Sequence, residues 1–103
     1  MDKLQTEIEW FVIETVRKKR EVLNMSQRAL SIKMGLDESY VGQVESRTEE
    51  SKYNLNHLNE LAKIFKCPIS DFLPDFPIAE NCIAEYKEIQ QRKKMKISDK
   101  SGF

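Results

Sequence analysis

Apolar residues recur every three or four positions along most of the chain between residues 4 and 73, which is the spacing of amphipathic helices. The pattern predicts five short helices: residues 4–23, 26–34 and roughly 38–46, a fourth begun by Asn54, and a short fifth that closes at Leu73. Their inward-facing residues are predicted to share one core, because mutual burial removes all of them from water. That predicted core consists of Val16, Leu23, Leu30, Met34, Val41, Val44, Leu58, Leu61, Phe65 and Phe72. The predicted fold class is therefore all-α.

The second and third predicted helices are separated by residues suited to a tight turn. Ser26 can cap the second helix by accepting a hydrogen bond from an unpaired backbone N–H. Gly35 can adopt a left-handed conformation without steric cost, and Asp37 can cap the third helix. A helix, a glycine turn and a second helix form the outline of a helix-turn-helix.

Both ends of the chain carry apolar residues that the five-helix core does not require. The first group is Ile8, Trp10, Phe11, Val12 and Ile13, and the second, beyond a proline-rich boundary, is Ile78, Cys82, Ile83, Tyr86 and Ile89. Either stretch, 8–13 or 78–89, can pack back on its own domain, form a dimer or bind another protein. We expect a helical domain with an extended first helix over residues 1–76, a C-terminal amphipathic helix over 77–97 and a flexible tail over 98–103.

The charge of the chain is balanced overall but unevenly distributed. The 103 residues include 17 Lys and Arg and 17 Asp and Glu, so the formal net charge is zero. This balance argues against a protein that coats nucleic acid through general basicity. Residues 1–16 nevertheless carry a net charge of minus three, and residues 17–47 a net charge of plus three. A local basic surface is therefore available where the predicted helix-turn-helix lies.

The sequence offers no recognisable set of residues for catalysis, metal binding or a cofactor. No nucleophile–base set, metal-ligand spacing or glycine-rich phosphate loop is present, so we expect neither an enzyme nor a bound cofactor. Cys67 and Cys82 are interpreted as free thiols, and His57 has no evident partners for a metal site. No stretch suggests a signal peptide or approaches the roughly 18 apolar residues of a membrane span. We therefore expect a soluble, cytoplasmic protein with no membrane partner.

The residues of the predicted helix-turn-helix resemble a known family. The run SQRALSIKMGLDESYVGQVE, from Ser26 to Glu45, is similar to the DNA-binding core of the phage repressor and Cro-like family of bacterial transcription regulators. The similarity extends over residues 16–73, with the five helices in register. It implies a five-helix lambda-repressor-like DNA-binding domain, to which this chain adds its C-terminal amphipathic helix.

The resemblance also implies roles for individual residues. Arg20 is implied to pair with Glu45, which would fix how the third helix is presented. Gln27 is implied to contact the DNA backbone and to brace the third helix, and the outward side of that helix is implied to reach base edges in the major groove. Without the resemblance, exposed polar residues there would be interpreted as solvated. The DNA-binding residues predicted in this way are Gln27, Arg28, Glu38, Ser39, Tyr40, Gly42, Gln43, Arg47 and Lys52.

Two features of this region depart from the family pattern or admit two interpretations. Gly42 lies inside the third helix, where it either allows a close approach to bases or loosens the helix by about 1 kcal/mol relative to alanine. After Glu45 no glycine ends the helix, and Glu49 and Glu50 would repel phosphates. In this loop, the predicted contacts to the DNA backbone are therefore Arg47, Lys52 and the Tyr53 hydroxyl.

Two classes of function follow from the sequence. The first is a sequence-specific regulator that binds double-stranded DNA as a homodimer, acting as a repressor or as the autoregulatory antitoxin of a toxin pair. The second is a protein-interaction module that kept the helix-turn-helix fold without DNA binding, which the zero net charge and Glu38, Glu49 and Glu50 allow. A homodimer is expected in the first class because one recognition helix reads few base pairs, whereas two domains about 34 Å apart read a palindrome.

Overall fold

The computed structural model describes residues 3–101, with side chains over residues 3–94. Over this range the chain is all-α, as predicted, and no residue lies in a strand. The elements follow in the order α1 (Glu7–Val22), α2 (Gln27–Lys33), α3 (Tyr40–Glu45), α4 (Leu55–Phe65), a 3-10 turn (Ile69–Phe72) and α5 (Cys82–Ser101). None of these helices is both long and apolar enough to cross a membrane.

Helix α1 begins after Thr6, where side chains accept hydrogen bonds from backbone N–H groups that have no partner within the helix. The Thr6 hydroxyl accepts a hydrogen bond from the backbone of Glu9, and the Glu9 carboxylate accepts one from the backbone of Thr6. The helix ends at Val22, and the side chain of the next residue, Leu23, is 54% exposed. The prediction that Leu23 belongs to the core is therefore wrong, because this residue lies past the last helical turn and no longer follows the inward stripe.

The core lies between α1 and the elements that follow it, up to the 3-10 turn. Its buried residues are Val12, Ile13, Val16, Leu30, Val41, Val44, Tyr53, Leu58, Leu61, Ala62 and Phe72, with Met34 and Phe65 among those packed at the margin. Val12 and Ile13, interpreted from the sequence as surplus apolar residues, are thus part of this core. Within residues 8–13, Phe11 is the large side chain that remains 40% exposed, so this stretch as a whole is not a free surface.

The connection between α2 and α3 depends on a glycine and on one buried hydroxyl. Gly35 has a φ of +75°, the left-handed conformation that the turn was predicted to need. Ser31 is fully buried; its hydroxyl donates to the carbonyl of Gln27 and accepts a hydrogen bond from the backbone N–H of Val41, each at 2.9 Å. This side chain therefore fixes the start of α3 against α2.

Helix α3 begins at Tyr40, later than the predicted start at residue 38. The Asp37 carboxylate accepts hydrogen bonds from the backbone and the hydroxyl of Ser39, and these bonds lower the pKa of Asp37. The Tyr40 N–H donates to the Asp37 carbonyl at 2.9 Å. Glu38 and Ser39 therefore lie in a turn that precedes the helix, because the short side chain of Asp37 favours that turn over a direct helical cap.

Helix α5 packs back on its own domain over its first half. It begins at Cys82, later than the predicted start at residue 77, and continues to Ser101. The Glu85 carboxylate accepts hydrogen bonds from the Lys3 ammonium and, at 3.0 Å, from the backbone N–H of Glu7, and Ile89 is buried. The tail predicted for residues 98–103 is helical as far as Ser101, and residues 102 and 103 lie outside the described range.

Candidate nucleic-acid interface

The ion pair that the resemblance implied between Arg20 and Glu45 is present. Arg20 Nε donates to Glu45 Oε2 at 3.0 Å and Arg20 Nη2 donates to Glu45 Oε1 at 2.8 Å, with side chains only 10% and 4% exposed. Arg20 Nη1 also donates to the carbonyl of Met25 at 2.8 Å, and the Gln27 amide donates to Glu45 Oε1 at 2.9 Å. One charge-assisted network therefore holds the end of α1, the start of α2 and the end of α3.

Gly42 is the place where the Gln27 side chain crosses α3. A Cβ atom at Gly42 would lie 3.2 Å from Gln27 Oε1, which is tighter than an ordinary van der Waals contact. The absence of a side chain at Gly42 thus lets Gln27 reach Glu45. This intramolecular reason is different from both interpretations considered for the sequence, close approach to bases and simple looseness. It also places the Gln27 side chain, implied by the resemblance to contact the DNA backbone, directly against α3.

Four of the predicted DNA-binding side chains lie next to one another on the exposed side of α2, α3 and the turn between them. The Gln43 amide donates to the Ser39 hydroxyl at 3.2 Å, and Arg28 Nε donates to Glu38 Oε2 at 3.0 Å. The Arg28 and Glu38 side chains are 69% and 60% exposed. The opposite side of α3 is fully buried through Val41 and Val44. The short helix therefore divides into one buried apolar side and one polar side open to solvent.

Tyr40 is directed toward the loop after α3 and does not belong to that exposed group. Its hydroxyl donates to the carbonyl of Lys52 at 2.7 Å, and its ring lies 6.4 Å from that of Tyr53 and 5.3 Å from that of His57. His57 Nδ1 accepts a hydrogen bond from the backbone N–H of Asn54, and partial burial lowers the His57 pKa. Through these contacts Tyr40 packs against the N-terminal end of α4 and the loop before it.

Tyr53 is also absent from the surface, and its predicted role as a phosphate contact is wrong. The residue is 9% exposed, and its hydroxyl is buried without a hydrogen-bond partner among the described residues. Burial raises the Tyr53 pKa well above its ordinary value. A buried hydroxyl cannot reach a phosphate at the protein surface.

Arg47 and Lys52 are engaged with the first turns of α1. The Arg47 guanidinium lies 4.0 Å from the centre of the Trp10 ring, and Lys52 Nζ lies 2.6 Å from Glu9 Oε2. Burial acts to raise the pKa of Glu9, but the hydrogen bonds from Lys52 and from the Thr6 backbone together lower it below its ordinary value. If Arg47 and Lys52 bind DNA phosphates, each of them must therefore give up a contact within the chain.

The loop between α3 and α4 is held by Gln5, which the sequence did not single out, and by an ion pair with α5. Gln5 is buried, and its amide donates to the carbonyls of Glu49 and Ser51 at 2.7 and 3.1 Å. Glu50 pairs with Lys93 of α5 at 3.2 Å. No local motif indicates the role of Gln5, which only its partners more than 40 positions away reveal.

The described residues contain no group of three or more His, Cys, Asp and Glu side chains placed to hold a metal ion. Comparisons of the chain with protein-family models, with curated proteins and with solved structures found no match.

Proposed function

We propose that the chain is a sequence-specific DNA-binding regulator with a lambda-repressor-like helix-turn-helix, in which α3 enters the major groove. The observation that carries the proposal is the arrangement of α3 itself. Val41 and Val44 bury one side, the Arg20–Glu45 pair fixes the end, and Gln43 and its neighbours occupy the side open to solvent. Such a helix is held in one orientation while its polar side remains available to base edges.

The exposed side chains have the chemistry that base recognition requires. Gln43 can pair with both the N6 and N7 positions of adenine, and Glu38 can accept a hydrogen bond from the amino group of cytosine. Arg28 can contact a phosphate or a guanine once it leaves Glu38. Opening that pair costs little, because ion pairs as exposed as this one contribute about 0–1 kcal/mol.

The proposed regulator acts as a pair of domains on double-stranded DNA. The exposed part of one α3 reaches only a few base pairs, whereas two copies one helical turn apart, about 34 Å, read a near-palindromic site. Repression, including autoregulation by an antitoxin, requires no catalytic group beyond this binding. The exposed polar side of α3 supports that role.

Selection of binding sites from random DNA duplexes tests the proposal. The full chain is equilibrated with the pool at a stated salt concentration, because phosphate contacts make affinity strongly salt-dependent. We expect enrichment of one near-palindromic sequence whose half-sites lie about one helical turn apart. A pool that stays random after repeated rounds contradicts sequence-specific binding.

Two glutamines are expected to affect DNA binding differently. Gln43→Ala should relax the selected sequence and weaken the preferred site by about 1–3 kcal/mol, because a base contact is lost. Gln27→Ala should weaken all duplexes to a similar extent, since its proposed contact is to the backbone. Gln91→Ala, an exposed glutamine on α5, serves as the matched control and should change neither property.

The comparison depends on each variant remaining folded, because Gln27 also donates to Glu45. Thermal unfolding of every variant is therefore measured beside the selections. If Gln43→Ala selects the same sequence as the unchanged protein, α3 is not the reading helix.

A protein-interaction module that has lost DNA binding is the second candidate function. It is favoured by the intramolecular engagement of the basic side chains at the proposed interface: Arg28 with Glu38, Arg47 with Trp10 and Lys52 with Glu9. Each of these contacts must be broken, or shared, before the side chain neutralises a phosphate. Retention of no duplex at all, even at low salt, is the result that this second function predicts.

A further inference from the structure

An apolar groove lies between the C-terminal ends of α1 and α4. Its volume is about 320 Å³, and it is lined by Val22, Leu23 and Phe65, with Lys18 and Lys19 beside them. Val22 and Leu23 are 81% and 54% exposed. Two adjacent exposed aliphatic side chains next to a partly buried phenylalanine form an apolar surface, and covering it with a partner lowers the free energy.

The groove carries positive charge on its border. Lys19 Nζ lies 3.6 Å from Asp71 Oδ2, which is a long ion pair. Lys18 is exposed and has no ion-pair partner among the described residues. Neither lysine is needed for the core or for the network around Glu45. A partner with an apolar side chain flanked by carboxylates therefore matches both the shape and the charge of this groove.

The same chain presents such a side chain outside its helices. Phe76 is 82% exposed in the irregular segment between the 3-10 turn and α5. Asp75 precedes it and Glu80 follows shortly after, and both are exposed. Pro74 and Pro77 restrict the backbone on either side of Phe76, which reduces the entropy lost when the segment docks.

We propose that Phe76 of one copy of this chain docks in the groove of a second copy, with Asp75 and Glu80 facing Lys18 and Lys19. Each copy offers one Phe76 and one groove, so a two-fold symmetric pair fills both grooves. This contact concerns the free protein, and it goes beyond the proposed DNA binding by naming the surfaces through which two copies meet.

The contact is expected to be weak. One buried phenylalanine contributes about 150–250 Å², and even two such contacts fall short of the roughly 1,200 Å² of a stable interface. On DNA, two copies held at neighbouring half-sites experience an effective concentration in the millimolar range. A weak contact is then sufficient to favour the binding of two copies to the same DNA. This role on DNA rests on the proposed function.

A dilution series of the ¹⁵N-labelled full chain, without DNA, tests the contact by NMR. Between about 1 mM and about 0.02 mM, a range suited to weak association, the amide signals of Leu23, Phe65 and Phe76 should shift together. Phe76→Ser and Leu23→Ser should each raise the dissociation constant at least about tenfold, the loss expected when one buried apolar contact is removed. Ile32→Ser is the matched control, because Ile32 is 53% exposed on α2 and lies outside the groove. It should leave the series unchanged.

Charge reversal provides a second set of variants that does not threaten the core. Lys18→Glu should weaken the association at low salt, and adding Asp75→Lys to the same chain should restore part of it. Concentration-independent signals in the unchanged protein overturn the proposal. So do shifts that persist in Phe76→Ser, or shifts confined to Ile83 and Tyr86 on α5. Because no DNA is present, the result is separable from success or failure of the duplex selection.

Discussion

Replacement of Glu45 with alanine is expected to lower the free energy of unfolding by about 3–5 kcal/mol, because it leaves a buried guanidinium without its carboxylate. The Arg20 side chain is 10% exposed and cannot turn to solvent without losing its bond to the Met25 carbonyl. The Gln27 amide also loses its acceptor on Glu45. The same variant should therefore weaken DNA binding, because the end of α3 is no longer bonded to Arg20 of α1 and Gln27 of α2.

Urea unfolding of Glu45→Ala, of Arg20→Ala and of the double variant measures this directly. In a double-mutant cycle the two changes should be strongly non-additive, because each removes the same ion pair. Glu38→Ala is the matched control: it breaks an ion pair of the same type whose carboxylate is 60% exposed, and it should cost about 0–1 kcal/mol. Additive effects of Arg20→Ala and Glu45→Ala would show that the buried pair is not a coupled unit.

Ile13→Ala should be nearly as damaging, with a loss of about 2–5 kcal/mol in the free energy of unfolding. Ile13 is fully buried in the core, and truncation leaves a cavity there as well as removing apolar contact. Phe11→Ala is the informative comparison, because Phe11 lies two residues away on the same helix and is 40% exposed. It removes more atoms and should still cost less.

The urea midpoints of the two variants decide between a core and a partner surface for residues 8–13. An unchanged slope of free energy against urea is required, so that the midpoints report stability alone. If Phe11→Ala is the more destabilising of the two, the burial assigned to this side of α1 is incorrect.

The sequence was informative where local chemistry decides the structure. Helical periodicity identified most of the core, because apolar residues three and four apart must share a side of a helix. Gly35 was identified because few other residues adopt a positive φ without cost. The contact between Arg20 and Glu45 followed from the resemblance alone, since no local rule links residues 25 positions apart.

Other features depend on contacts that periodicity does not specify. Residues 8–13 are apolar on several sides, so the pattern could not tell that Val12 and Ile13 enter the core while Phe11 stays half exposed. Leu23 continues the apolar stripe of α1 in sequence, but the helix ends one residue earlier. Boundaries of this kind shift by one or two residues with cap geometry.

The polar residues of the candidate interface were the hardest to place. Arg47 and Lys52 were expected to be free for DNA, yet their partners Trp10 and Glu9 lie more than 30 positions away in the sequence. Gly42 was interpreted from helix propensity, whereas its neighbour in space is the Gln27 amide. Sequence spacing gives the side of a helix on which a residue lies, but it does not give the distant residue that packs there.

The central claim, that the exposed side of α3 reads DNA sequence, is tested most directly by equilibrium binding. Fluorescence anisotropy compares the full chain on its selected duplex with a scrambled duplex of the same length, in the same buffer at about 150 mM salt. We expect the selected duplex to bind at least about 10³-fold more tightly, and Gln43→Ala to reduce that ratio at least about tenfold. Equal affinities for the two duplexes, or a ratio that Gln43→Ala leaves unchanged, would contradict it.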